Sequence, residues 1–374
     1  EIQATGNYQE EFWYFNIPNE YLQYLPPDTT YGKGSFREVR VLVDGVVAGV
    51  AFPYPVLFTG AFVPTVWRPI VAYGAYDTPT YNIDLTPFIP LLTDGNPHII
   101  SLDVISDEPD YTPNSNWYLS GNIRVKLDPS NKPTTGTITR YEVPSLTSRH
   151  TITAIGQDSH NITVDVDHSV FIEATIITGN GVKKHVAWKQ NLHFSNVQSY
   201  INNATASLVT QRTSGHSIST HNLLPVLIDN IDFPLFIDFE SVADETGSGW
   251  NTIFDHGYNR QLLSSPWEVF TDIRSSQYAN GTYIRYPNAG FNRTANGTNL
   301  NEFHYVDGRL NTYSRSVDVT NNTITRDRQG GTLTWELWPY IGQPWSPLTE
   351  EVDGLMGFEA ARVPNRRWGE HPAS

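Results

Sequence analysis

The sequence predicts an all-β protein, and three observations carry that prediction. Apolar residues recur at alternate positions in short runs rich in Val, Ile, Thr and aromatics, the period of a strand with one buried face. Helical periodicity is nearly absent. Tight-turn dipeptides separate the runs: Asp44-Gly45 between VRVLV and VVAGVAF, Asn180-Gly181 between FIEATIIT and VKKHVAW, Asp307-Gly308 between EFHYV and RLNTYSRSV, and Asn321-Asn322 between RSVDVT and TITRD. Each places residues that tolerate positive φ where a type I′ hairpin requires them. Alternating runs bounded by turns in this way are the pattern of sandwiches and barrels.

The first segment, to about Asp128, is dense in aromatics and proline, with EEFWYFNIP, FPYPVLFTG, VWRPI and NWYLSGNIRVKLD. Within it GSFREVRVLVDG reads as a strand leading into the Asp44-Gly45 turn. Alternation puts Arg37, Val39, Val41 and Val43 on one face and Phe36, Glu38, Arg40 and Leu42 on the other. The valines face a core, so Glu38 looks the opposite way. The cluster DPSNKPTTG is a linker or, equally, a long surface loop; it divides residues 1–128 from a second β-rich domain, 129–374. Plainer strands follow, among them TRYEVPSL, HNITVDVDHSVFIEATIIT and GGTLTWELWPYI. The tail from Val363 to Ser374 lacks strand pattern and carries Arg366-Arg367, as a wrapped tail or a stretch near a cleavage point.

Composition narrows the function. In 374 residues, 24 Lys and Arg face 39 Asp and Glu, a formal net charge of -15. Such a surface repels a phosphate backbone, which argues against nucleic acid as a partner. With no cysteine, disulfides and sulfur redox chemistry are excluded. No apolar run reaches membrane-spanning length. Sequons at Asn161, Asn203, Asn280, Asn292, Asn296 and Asn321 point to a secreted, N-glycosylated protein. The chain starts at Glu1 as a processed product would.

Phosphate-binding loops, zinc helices, EF-hands and nucleophile elbows are all missing from the sequence. The nearest approach to a histidine cluster, His150, His160 and His168, matches no metal pattern and reads as surface imidazoles; no metal is expected. What remains is carboxylates among aromatics. That is the chemistry of a carbohydrate site, where sugar faces stack on rings and bond cleavage requires proton transfer. The same aromatics also serve a well-filled core.

One continuous block is more specific. EEFWYFNIP, GSFREVRVLVDG, FPYPVLFTG, VPTVWRPIVAYGAYDTPTYNIDLTPFI and LLTDGNPHIISLDV together resemble the peptide N-glycosidase A family, the glycoamidases of plants and fungi. The resemblance is strong from Glu10 to about Asp128 and looser beyond. It implies jelly-roll architecture and hydrolysis of the β-amide between asparagine and the innermost N-acetylglucosamine of an N-glycopeptide or denatured glycoprotein. It implies no cofactor, acidic working pH and a secreted or vacuolar location. Family members carry an Asp-Arg motif in a preceding half, whereas the sole Asp-Arg here is Asp327-Arg328. The expectation that follows is a cleaved precursor whose second chain completes a double jelly roll. A non-catalytic glycan-binding module and a two-carboxylate glycoside hydrolase are the rival classes.

On that resemblance the expected catalytic carboxylates are Glu38, whose rival role is an ion pair with Arg40, and Glu11. Alternation groups Glu11 with Trp13 and Phe15. For Glu10 and Glu11 together, the simpler reading has one acid buried against Arg37 or Arg68 and the other solvated. Expected substrate contacts are Trp13, Arg37, Trp67, Arg68 and Asp77. Trp67 and Arg68 lie in a Pro-flanked loop, where a ring can stack on sugar and a guanidinium can hold an amide oxygen; clamping that loop is the alternative. Arg37, at the end of the valine stripe, equally reads as a structural anchor. Asp77 and Asp84 each also fit a turn cap.

Overall fold

The computed structural model describes residues 1–58, 60–243, 247–264, 269–286 and 293–336. Two small sheets come from the first segment. Strand β1 (Ile2–Gly6) pairs antiparallel with β5 (Trp117–Gly121). Strands β2 (Glu38–Val43), β3 (Val46–Ala51) and β4 (Ile100–Ile105) form an antiparallel sheet in the order β3-β2-β4.

Among the described residues, the strands between residues 135 and 330 build one antiparallel sheet of 11 strands. They are β6 (Thr135–Glu142), β7 (Thr147–Gly156), β8 (Ser159–Ile177), β9 (Lys183–Ile201), β10 (Ala206–His221) and β11 (Leu224–Ala243). The meander continues through β12 (Ser248–Ser264), β13 (Val269–Arg285), β14 (Arg293–Asp307), β15 (Thr312–Thr320) and β16 (Thr323–Gly330). Each strand from β8 onward pairs with its sequence neighbour. Strands β6 and β7 share the far edge of β8, end to end. The class is all-β, in keeping with the predicted jelly-roll or β-sandwich architecture.

Strands β8 and β9 alternate strictly from Ile162 and Val186 on, and the buried face of the sheet carries Val164, Val166, Val170, Ile172, Trp188, Phe194, Val209, Ile237 and Phe254. The first segment lies on that face and shares its core, contributing Trp13, Tyr14, Phe36, Val50, Phe52, Val66, Trp67 and Phe88. Much of this segment is irregular, so its backbone groups have no ladder to satisfy them. Amide side chains on the inward face of the sheet do so instead. Gln190 accepts from the Val50 N–H and donates to its carbonyl, both at 2.9 Å. Asn196 and Gln198 donate to Tyr14 O, Gln198 also to Asn16 O, and Asn299 to Val66 O at 3.0 Å. The DPSNKPTTG stretch is a surface loop up to Thr134 and opens β6 after it: Asp128 accepts from Ser130 N and from Gly179 N in the β8–β9 turn, both at 2.8 Å.

Close approach also dictates glycine. Gly281 and Gly297 are cross-strand partners on β13 and β14, and a Cβ on either would come within 2.6 Å of Val66 Cγ2. Gly281→Ala should therefore cost about 1–3 kcal/mol by overpacking. Urea unfolding checks this; an unchanged midpoint would show that Val66 yields freely.

Two local expectations are corrected. EEFWYFNIP is not a strand: Tyr8–Glu10 and Trp13–Phe15 are 3-10 turns, so the alternation that grouped Glu11 with Trp13 and Phe15 does not apply. GGTLTWELWPYI likewise holds a short helix at Leu333–Glu336 instead of a strand. Its later residues, and the 363–374 tail, lie outside the described residues.

Candidate acid–imidazole site

In the paired strands β2 and β4, Glu38 stands opposite Ile105 and Arg40 opposite Asp103. Alternation places Phe36, Glu38 and Arg40 on the face shared with Asp103 and Ile105, and Asp107 follows in the same phase. Arg40 pairs with Asp103, Nε to Oδ1 at 2.8 Å and Nη2 to Oδ2 at 2.6 Å. The anticipated Glu38–Arg40 pair is therefore replaced by a cross-strand one.

Glu38 meets the large sheet. Its side chain is wholly buried, and Oε2 lies 2.6 Å from His168 Nδ1 on β8. The other nitrogen, Nε2, faces the Pro144 carbonyl at 2.9 Å. Both neighbours are acceptors, so the imidazole is satisfied as a cation donating from each nitrogen. Burial disfavours that cation, but Glu38 outweighs it and the His168 pKa is raised. A surface cavity of about 460 Å³, lined by Tyr141, Glu142, Val143, Ser169 and Phe171, shares Pro144 as a wall.

A second pair lies beside the first. Asp107 is buried, and its Oδ2 accepts from His150 Nε2 at 2.5 Å and from Ser148 Oγ at 2.7 Å, both on β7. Burial opposes the charged form of His150, but Asp107, with Glu108 and Glu20, holds its pKa above the ordinary value. Asp107 Oδ1 packs against Gly34, where a Cβ would meet it at 2.7 Å and φ is +64°. Ser35 Oγ, Glu38 Oε1 and Asp107 Oδ1 are buried without a partner among the described residues. Buried oxygens of this kind are where an ordered water or a substrate group is accommodated.

The remaining predicted residues separate by burial. Arg37 is an anchor and not a substrate contact: Nε and Nη2 bind Glu10 at 2.5 and 2.7 Å, and Nη1 binds the carbonyls of Lys33, Gly34 and Phe36. Glu10 also accepts from Asn114 N and Trp117 Nε1. Although burial pushes its pKa up, Arg37 and these donors bring it below the ordinary value. Trp67 is 1% exposed, packs edge-on to Phe254 and donates to Ala61 O; Trp13 is 3% exposed. Neither ring offers a face to sugar, because both fill the shared core. Glu38 likewise looks into the sheet and not into an open cleft. Glu11 is half-buried, and its charge adds to burial, the larger cause, in raising the phenol pKa of Tyr14. Arg68 and Asp77 are exposed, nine residues apart in the irregular stretch between Trp67 and Thr86. Asp84 is the turn cap expected, accepting from Thr86 N at 2.9 Å.

The sequons also separate. Asn203 and Asn321 lie exposed in hairpin turns, and Asn280 and Asn296 lie exposed on β13 and β14. Asn161 is half-buried with its Oδ1 enclosed. Asn292 lies outside the described residues.

His150, His168, Asp107 and Ser148 were not among the site residues expected from the sequence. His168 had a signal: in HNITVDVDHSVFIEATII it falls in phase with Ile162, Val164, Val166, Val170 and Ile172, and so must face inward. The surface-imidazole expectation fails there. Among the described residues no group of three or more His, Cys, Asp or Glu is arranged to hold a metal, and no helix is long and apolar enough to cross a membrane.

Fold and site together define an all-β protein in which an irregular, aromatic-rich layer is fastened to a broad sheet by buried acid–base pairs. Residues 1–144 match the family model for peptide N-acetyl-beta-D-glucosaminyl asparaginase amidase A, and residues 161–235 match the C-terminal domain model of the same family. The chain belongs to that family. Over 141 residues it is 38% identical to the peptide-N4-(N-acetyl-beta-glucosaminyl)asparagine amidase A of Prunus dulcis, an alignment covering 38% of this chain and 24% of that relative. The chain thus spans about a quarter of the relative's length in the matched region. No solved structure matches it.

Proposed function

We propose that this chain forms part of a glycoamidase that hydrolyses the β-amide between asparagine and the innermost N-acetylglucosamine of N-glycopeptides, releasing the whole glycan and leaving aspartate. The observation that carries this reading is the match of residues 1–144 to the amidase family model, a span that includes both carboxylates of the site. Amide hydrolysis requires a positioned water, a carboxylate to orient it and a proton for the departing nitrogen. In our reading Glu38 is that carboxylate, its free Oε1 addressing the water. Raised imidazole pKa values on His150 and His168 favour a mildly acidic working range, which fits a secreted or vacuolar enzyme. We further propose a second chain from the same precursor, supplying the rest of a double jelly roll.

A glycopeptide incubated at mildly acidic pH tests the reaction. Conversion of Asn to Asp raises the peptide mass by about one unit relative to its unglycosylated Asn form, while a glycoside hydrolase would leave one sugar on Asn. Denaturing mass spectrometry of the same active preparation tests the second chain; a single species at 42.1 kDa, this chain alone, would remove it. The burial of Glu38 favours a second reading, a non-catalytic glycan-binding module, which predicts binding without either mass change.

A further inference from the structure

We infer that His150, oriented by Asp107, is the proton donor to the departing nitrogen, an assignment that rests on the amidase reading above. The two imidazoles differ in which nitrogen remains free to transfer a proton. His168 is closed on both sides, with Glu38 on Nδ1 and the Pro144 carbonyl on Nε2, and its side chain is 5% exposed. His150 is closed on one side. Its Nε2 is held by Asp107, whose side chain is fully buried, while Nδ1 faces outward toward Glu20 Oε1 at 3.8 Å. Its side chain is 17% exposed, and that of Glu20 63%. A buried carboxylate on one nitrogen with the other nitrogen open is the arrangement that presents a proton in a fixed direction. Ser148 Oγ, donating to the same Asp107 oxygen, fixes the carboxylate in turn.

The charged groups facing His150 are Asp107 and Glu108, from the segment after β4, and Glu20, from the 3-10 turn Asn19–Tyr24. All are acidic, so the cation is the resting form at mildly acidic pH. Water oxygen bonds to the amide carbon, and the carbon–nitrogen bond breaks. The released electron pair takes the Nδ1 proton of His150 to give the glycosylamine. One water proton stays on the new carboxyl group, and the other returns to the imidazole. Atoms and charge balance without a further reactant.

His150→Gln and Asp107→Asn in the purified protein provide the test, with glycopeptide hydrolysis followed from about pH 4 to 9. For His150→Gln, kcat should fall at least about 10²-fold, with KM within a few-fold and the alkaline limb of the profile abolished. Asp107→Asn keeps the shape of the carboxylate but removes its charge, so the alkaline limb should move to lower pH. If His150→Gln shows no cooperative melting transition, the Asp107→Asn profile decides alone. A His150→Gln profile parallel to the wild type, or an unmoved limb in Asp107→Asn, overturns the inference and leaves the amidase reading intact. Wild-type protein that releases no aspartyl peptide overturns both.

Discussion

Glu38→Gln should lower the unfolding free energy by about 3–5 kcal/mol at pH 6, because it leaves a buried imidazolium without its counter-ion. The loss should depend on pH. The folded pKa of His168 is raised, so the stability it contributes is fully present below the unfolded histidine value of about 6.5 and disappears as pH rises through the folded value. The gap between wild type and Glu38→Gln should therefore be widest near pH 5–6 and close under alkaline conditions. Urea unfolding at a series of pH values measures it, and a gap constant in pH would mean that His168 is neutral in the folded protein. At a temperature where both forms are folded, kcat should also fall at least about 10²-fold if Glu38 orients the water. Retained kcat with the pH-dependent gap would make Glu38 a fastener and not a catalyst.

Glu10→Gln should be at least as damaging, about 3–5 kcal/mol or a failure to fold, since both partners of the Glu10–Arg37 pair have fully buried side chains. The sign of its pH dependence is opposite. The Glu10 pKa is lowered, so its contribution is present above the unfolded carboxylate value of about 4.3 and is lost as pH falls through the folded value. Arg37→Lys should not substitute, because an ammonium cannot meet a carboxylate and three carbonyls in one plane. The double change Glu10→Gln with Arg37→Met should recover part of the loss. Strict additivity of the two single costs would show that the pair is not coupled. Taken together, the carboxylate sets the acid edge of the stability window and the imidazole pairs set its alkaline edge.

Local chemistry made part of this legible in the sequence. Asp44-Gly45 and Asn321-Asn322 occupy the positive-φ positions their hairpins require. Asn222-Leu223 makes the same kind of turn with φ of 49° and 69°, and a leucine there gives no warning. The inward faces of β9, β13 and β14 escaped the apolar count because Gln190, Asn196, Gln198, Gln277 and Asn299 occupy them, serving backbone that is far away in sequence. In the site, a buried acid against Arg37 was foreseen for the Glu10-Glu11 pair. Glu38 was also singled out by its face, but its partner could not be found by local pattern, since His168 lies 130 residues on. Trp13 and Trp67 were read as ligand platforms because composition cannot tell which ring a later strand will cover.

The amide clasps between the irregular layer and the sheet also set an order of events during synthesis. Val50 waits 140 residues for Gln190, and Val66 waits 233 for Asn299. At about 5–20 residues per second, the longer interval lasts roughly 10 to 50 s. Early in it, Phe36, Phe52 and Trp67 have been made while the strands that bury them, β9 against Phe36 and β12 against Trp67, are still to come. The hairpins of the meander close locally as they emerge. The nascent first segment is thus the part of this protein with the greatest demand for a chaperone.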